Sequence, residues 1–438
     1  MEWWELLLII LGGVTFLLGL GVPVAFAFIL VNLLGVLFLQ GGGRALHQLV
    51  LSMESSVSSF TLAPIPLFVL MGEVLWHSRL AFNALDVLEK LLGRLPGRLS
   101  VLTVLAGTVF SSLSGSTMAN TAMLGTMLLP EMEKRGYKRP MSIGPILASG
   151  GLAMMIPPSA LAVILASLAQ LSIGRILIAA VLPGILMAFL YFTYIVVRCI
   201  LQPELTPSYA VEHVSWTEKA RGFVVYLLPL GVIVFLVTGL IVLGIATPTE
   251  TAALGCLGSF LIVAAFGRLT WKVIRESVMG ALSITAMMLA ILVGAIGFSQ
   301  ILAYSGVSSG LLDFVIGLPI TPIVLIICIQ IVILFLGTFM EQIAIMMITL
   351  PILMPIVTAL GFDPIWFGIL MLINLQMALT TPPFGLLLFV IKGVAPPDTT
   401  MREIYLACLP FLVCDAIVLA IILAFPETVT WFQSIIFD

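Results

Sequence analysis

Residues 111–123 read SSLSGSTMANTAM, with Ser111, Ser112, Ser114, Ser116, Thr117 and Asn120 gathered around Gly115. They interrupt a chain of 438 residues that is 61% hydrophobic and 9% charged, with a mean hydropathy of +1.25. That composition belongs to a polytopic membrane protein. Apolar runs near the ~20 residues needed to span a bilayer as helix recur from end to end. Where such a polar stretch sits in the bilayer therefore decides the fold.

The flanking charges place it. Arg94 and Arg98 come before the stretch, and Lys134, Arg135, Lys138 and Arg139 come after it. Both flanks stay cytoplasmic under the positive-inside rule. The segment 99–133 must then enter the membrane and return, in two arms of about 16 residues, each short for a full span. The polar stretch falls at the turn, so the spacing predicts a re-entrant hairpin with these residues at its tip.

A second copy follows. The polar interval QPELTPSYAVEHVSWTEKARG (202–222) cuts the chain nearly in half, which invites a search for a repeat. GSTMAN (115–120), a proline at 130 and MMIPPSALAVIL (154–165) are matched by GTFMEQ (337–342), a proline at 355 and ALTTPPFGLLLFV (378–390). Pro130 to Pro157 is 27 residues, as is Pro355 to Pro382, and Gly136 and Gly361 each follow their proline by six. From Ser277 to Ile391 there is no lysine or arginine, while Asp313, Glu341 and Asp363 are present. The second hairpin, 320–357, is therefore expected to enter from the outer face, giving two inverted repeats.

The predicted architecture is an all-α polytopic membrane protein of about ten to eleven transmembrane helices and two re-entrant hairpins, with both termini outside. Residues 1–205 form the first repeat, 206–222 a cytoplasmic linker and 223–438 the second repeat. Broken helices are expected at 141–168 and 365–391, because Pro157-Pro158 and Pro382-Pro383 each remove two backbone donors. Residues 44–59 read as lying on the outer interface. The amphipathic stretches 78–98 and 267–278 read as interfacial arms linking a scaffold to a moving unit.

Hairpin tips and unwound helices expose carbonyl oxygens and helix ends at membrane depth. With Ser and Thr hydroxyls they make a cage of neutral oxygens, which suits Na⁺. Zn²⁺ would want Cys or His, and Ca²⁺ or Mg²⁺ carboxylates. Cys199, Cys256, Cys328, Cys408, Cys414, His47, His77 and His213 show no metal-ligand spacing and read as packing or interfacial groups. Glu250, in ATPTETAALG, and Glu341, three residues after Thr338, read either as helix caps or as ligands. The opening MEWWELLLIILGG lacks the basic start and small-residue cleavage site of a signal peptide, so it reads as a retained helix. Net charge is −3 with no basic tract, which gives no sign of nucleic acid.

Taken together, SGSTMANTAMLGTMLLPEMEKRGY, the IPPS break, LPG at 182–184, TPTETAALG, FMEQIAIMMITLPILMP, NLQMALTTPPFGLLLFVIKGVAP and GVPVAFAF resemble the large membrane subunit of TRAP transporters, the DctM-like family, over essentially the whole chain. The resemblance implies no enzyme but an elevator-type, Na⁺-driven importer of small organic acids in the bacterial inner membrane. Its partners would be an extracytoplasmic solute-binding protein and a small four-helix membrane subunit. No such helices precede Met1, so that subunit is expected as a separate chain. Two sodium sites carry over. One would use Ser111, Ser114 and Gly115 with carbonyls around Ile156 and Pro158; the other would use Gly337, Ala378 and Thr381. Ser116, Thr117, Asn120, Thr380 and Pro382 are then candidates for the cargo. No arginine lies at either tip or break, so a carboxylate would meet hydroxyls, backbone N–H groups and Na⁺. Asn120 and Glu341 stand where the family often has Asp. A channel would need a continuous polar pore, and an intramembrane enzyme a nucleophile with its base; neither pattern appears.

Overall fold

A computed structural model describes residues 2–39, 43–93, 95–114, 116–207 and 215–431, and these are helical almost throughout. Among the described residues, seven helices are long and apolar enough to cross a membrane, and shorter apolar helices accompany them. Many of the shorter ones are halves of interrupted elements.

Two helical hairpins stand at matched places. The first is Arg98–Ser114 with Thr117–Lys134, and the second is Pro322–Phe339 with Gln342–Ala359. Both close in the same way. Gly136 and Gly361 adopt φ of +80° and +78°, a left-handed conformation that favours glycine. The N–H of Gly136 donates to Glu133 and that of Tyr137 to Met132; Gly361 and Phe362 repeat the pattern on Thr358 and Val357. The glycines six residues after the matched prolines are therefore helix stops.

Each hairpin leads into a broken helix. Arg139–Gly151 tightens into a 3₁₀ turn at Leu152–Met154, unwinds, and restarts as Ala160–Leu168. Pro364–Thr380 stops at Thr381 and restarts as Leu386–Val394. Ser159 caps the first restart by accepting from the Ala162 N–H at 3.2 Å. Both Pro–Pro peptide bonds are cis. Every residue from Ile365 to Thr380 and from Met141 to Met155 is buried, so the broken helices form the centre of the molecule.

Packing exchanges elements between the repeats. Thr117–Lys134 lies on Leu386–Val394, and Gln342–Ala359 lies on Ala160–Leu168. Arg139–Gly151 packs on Met401–Ala424, and Pro364–Thr380 packs on Ile173–Leu201. The remaining helices form a second layer with the same symmetry: Val24–Leu39 on Trp271–Tyr304, Pro248–Ala265 on Pro64–His77, and Pro64–His77 on Trp271–Tyr304. Trp216–Val242 is apolar all round yet mostly exposed, as a lipid-facing helix should be.

Two local readings change. The amphipathic stretch 267–278 is not a separate arm. Thr270 caps Trp271–Tyr304, which runs unbroken for 34 residues because no proline interrupts it. In the first repeat Pro64 and Pro66 divide the corresponding path into Gly43–Val57 and Pro64–His77. The short helix Val307–Ile316 packs on Trp3–Gly19, just as Leu80–Leu92 packs against the helix beginning at Trp216. Finally, part of the linker is helix: Ser215 caps Trp216–Gly222, while 208–214 lie outside the described residues.

Small residues let the hairpins close on the broken helices. A Cβ added at Gly107 would lie 2.3 Å from Ser149 Cβ, whereas one at Gly12 would meet nothing within 4 Å. Gly107→Ala is expected to lose about 1–3 kcal/mol of stability through overpacking, with Gly12→Ala unaffected. Thermal melting of the two purified variants checks this, and equal melting would refute the close approach.

Candidate functional site

The breaks expose carbonyls by simple arithmetic. Pro157, Pro158, Pro382 and Pro383 have no N–H, so the carbonyls four residues earlier, on Ala153, Met154, Ala378 and Leu379, lose their helical donors. The Ala378 carbonyl accepts instead from the Thr381 N–H at 3.2 Å. Thr381 donates its hydroxyl proton to Met377 O at 2.7 Å, and Thr380 does the same at 3.1 Å. Each hydroxyl oxygen thus keeps its lone pairs for an electron-poor partner.

At the second tip, Gly337 is pressed against Ala378: an added Cβ would lie 2.3 Å from Ala378 Cβ. These two residues and Thr381 are therefore gathered at the second break, with Thr381 and Pro382 half-buried. At the first tip, Ser116 caps Thr117–Lys134 by accepting from the Ala119 N–H at 3.3 Å. Thr117 and Asn120 are buried, at 3% and 0% exposure. The Asn120 amide donates to Gly107 O and Ser149 O, both at 3.4 Å, and so ties the two hairpin arms to the broken helix. Ile156 and Pro158 lie in the unwound segment, and both hairpin arms touch the Leu152–Met154 turn that enters it. Ser111 and Ser114 fall in the last turn of Arg98–Ser114; their side chains, and Gly115, lie outside the described residues.

The acidic candidates resolve into caps. Thr247 and Glu250 form a complete capping box, with Glu250 Oε2 accepting from the Thr247 N–H at 2.7 Å. Thr338 and Glu341 do not form one, because Thr338 still belongs to the first arm and donates to Phe335 O. Glu341 is itself the N-cap of the second arm, accepting from the Ile343 N–H at 3.0 Å. Among the described residues no group of three His, Cys, Asp or Glu could hold a metal. The oxygens gathered at the breaks are neutral carbonyls and hydroxyls, a donor set that fits a hard monovalent cation.

Several buried polar groups had no place in the sequence reading. Asn374 donates to Gln330 O and Oε1, both at 2.6 Å, pinning the second hairpin to its broken helix as Asn120 pins the first. Gln376 donates to Tyr191, and Tyr191 to Asp415. The available signal was the isolation of Asn374, Gln376 and Asp415 in apolar helices, where polar residues are rarely idle.

These features define a multi-pass membrane permease. The sequence matches the family described as "Tripartite ATP-independent periplasmic transporter, DctM component" over residues 11–428, and the chain belongs to it. The family is a transporter permease, not an enzyme. The chain is 29% identical to the sialic acid TRAP transporter large permease SiaM of Vibrio cholerae, covering 94% of each. It is 30% identical to the C4-dicarboxylate TRAP transporter large permease DctM of Pseudomonas aeruginosa, covering 87% of this chain and 88% of that one. In fold it resembles the YdaH transporter of Alcanivorax borkumensis, with a TM-score of 0.68, 13% identity, and 90% of this chain and 91% of that one covered.

Asn120→Asp would turn a donor facing two carbonyls into an acceptor. The variant is expected to lose about 1–3 kcal/mol of stability, and a melting temperature equal to that of the unaltered protein would show that the amide donor is dispensable.

Proposed function

We propose that this chain is the large transmembrane subunit of a Na⁺-driven importer of a small organic acid, working by an elevator movement in the bacterial inner membrane. The observation that carries the reading is the pairing of each hairpin with a proline-broken helix whose freed carbonyls and hydroxyls are neutral oxygens. Na⁺ would be held at two places, by Ser111, Ser114 and Gly115 with carbonyls at Ile156 and Pro158, and by Gly337, Ala378 and Thr381. Its role there is to supply the free energy of a gradient and a positive charge beside the cargo. Ser116, Thr117, Asn120, Thr380 and Pro382 would contact that cargo. The names of the two relatives, one for sialic acid and one for C4-dicarboxylates, support an organic acid. As a tripartite system it would take cargo from a solute-binding protein and work with a small membrane subunit.

The exchanged packing supports the elevator. Each hairpin packs on the other repeat's broken helix as well as its own, which favours movement of these elements as a unit against the layer formed by the other helices. The positive charges at 134–139, and their absence from 277 to 391, favour opposite orientations for the hairpins. Cysteines replacing Lys138 and Asp363 should therefore label from opposite faces, and labelling of both from one face would remove the inverted arrangement.

Ser114→Ala and Thr381→Ala test the ion sites. Each removes one oxygen from a desolvated cation, a loss of about 1–3 kcal/mol, or roughly tenfold to a hundredfold in affinity. Half-maximal uptake should need correspondingly more Na⁺, with purified yield little changed. Unchanged Na⁺ dependence with lower melting would assign the hydroxyls to helix capping instead.

A further inference from the structure

Gln376 is 1% exposed and sits in the second broken helix, two residues before Ala378. Its Nε2 donates to the Tyr191 hydroxyl at 2.9 Å, and that hydroxyl donates to Asp415 Oδ1. Tyr191 and Asp415, at 0% and 3% exposure, come from Ile173–Leu201 and Met401–Ala424, the closing helices of the two repeats. Asp415 Oδ1 accepts the Tyr191 proton, so the chain has one direction. Tyr191 spends its single proton on Asp415 and can only accept from Gln376. The amide is held with its NH₂ toward Tyr191, and its Oε1, on the other prong, has no hydrogen-bond partner among the described residues.

Gln376 also touches the end of the helix that leads into the first break. A Cβ added at Gly151 would lie 2.6 Å from Gln376 Cγ and 2.9 Å from Nε2, and Gly151 directly precedes the Leu152–Met154 turn. The side chain thus belongs to one broken helix and rests on the other. An unpaired carbonyl oxygen buried between the two broken helices is costly unless something electron-poor approaches it.

We propose that Asp415, acting through Tyr191, is a positioning residue for the ion sites: it fixes the Gln376 amide so that its carbonyl oxygen, and not its NH₂, is offered to a cation at the breaks. The inference rests on the Na⁺ reading above. Tyr191→Phe keeps the ring, which packs edge-on against Phe411 with centroids 5.5 Å apart, and removes only the link.

The test is thermal melting of the purified full-length chain, titrated with NaCl against choline chloride at constant ionic strength, since an ion that binds the folded state raises its melting temperature. The unaltered protein should be stabilised by Na⁺ with a defined midpoint. Tyr191→Phe, Asp415→Asn and Gln376→Ala should each move that midpoint roughly tenfold higher, and Gly151→Ala, which crowds the amide, should move it the same way. Tyr191→Phe combined with Gln376→Ala should match Gln376→Ala alone, because both act through one group. A purely structural chain would lower melting equally at every Na⁺ concentration and leave the midpoint in place, which overturns the proposal. If Asp415→Asn fails to fold, Tyr191→Phe decides by the same readout. Absence of any Na⁺ response in the unaltered protein would instead overturn the Na⁺ reading, and this inference with it.

Discussion

In hydrocarbon no water is available to satisfy a backbone N–H or C=O, so every polar group of the main chain must find a partner within the protein. Two double prolines violate that requirement at the centre of this molecule, and much of the architecture answers them. The breaks can exist only where other protein covers them or a ligand reaches them, and the two hairpins supply the cover. Ser116, Ser159 and Glu341 then satisfy N–H groups that the interruptions leave open at the helix starts. The carbonyls four residues before the prolines are left without their helical donors, since a proline has no N–H to give.

Close approach is the second requirement. Helices in lipid gain little from hydrophobic burial against one another, so association depends on packing and on polar ties. Gly107 against Ser149 and Gly337 against Ala378 bring each hairpin onto its own repeat's broken helix, and Gly125 against Val394 joins one repeat to the other. Asn120 and Asn374 then fasten each hairpin with an amide. Because Thr117–Lys134 also lies on Leu386–Val394 and Gln342–Ala359 on Ala160–Leu168, each half contributes to the centre of the other. The outer helices, with Trp216–Val242 the most exposed of the long ones, keep apolar surface for lipid.

The membership of the DctM family and the likeness to YdaH at 13% identity say that this arrangement tolerates wide change in sequence. In this chain the devices that build it are local: two proline pairs, a glycine stop after each hairpin, and small residues at the crossings. The amide and tyrosine–aspartate ties are different, since each holds a polar group whose loss would strand a buried partner.

Composition, charge asymmetry and the matched prolines and glycines determined the membrane setting, the repeat, the hairpins and the breaks, because each rests on a rule that acts along the chain. A Pro lacks an N–H wherever it stands, and the positive-inside rule counts charges in sequence order. Helix continuity was less legible. The stretch 267–278 has the amphipathic period of an arm, yet nothing in its sequence stops the helix from running on to Tyr304. The pairing of Thr338 with Glu341 had the spacing of a capping box but not the position of one, since a cap depends on where the preceding helix ends. Which buried amide meets which carbonyl, and that Gln376, Tyr191 and Asp415 form one chain, was decided only by the tertiary structure. Those residues are up to 224 positions apart, and only the exchange of helices between the repeats brings them within reach of a hydrogen bond.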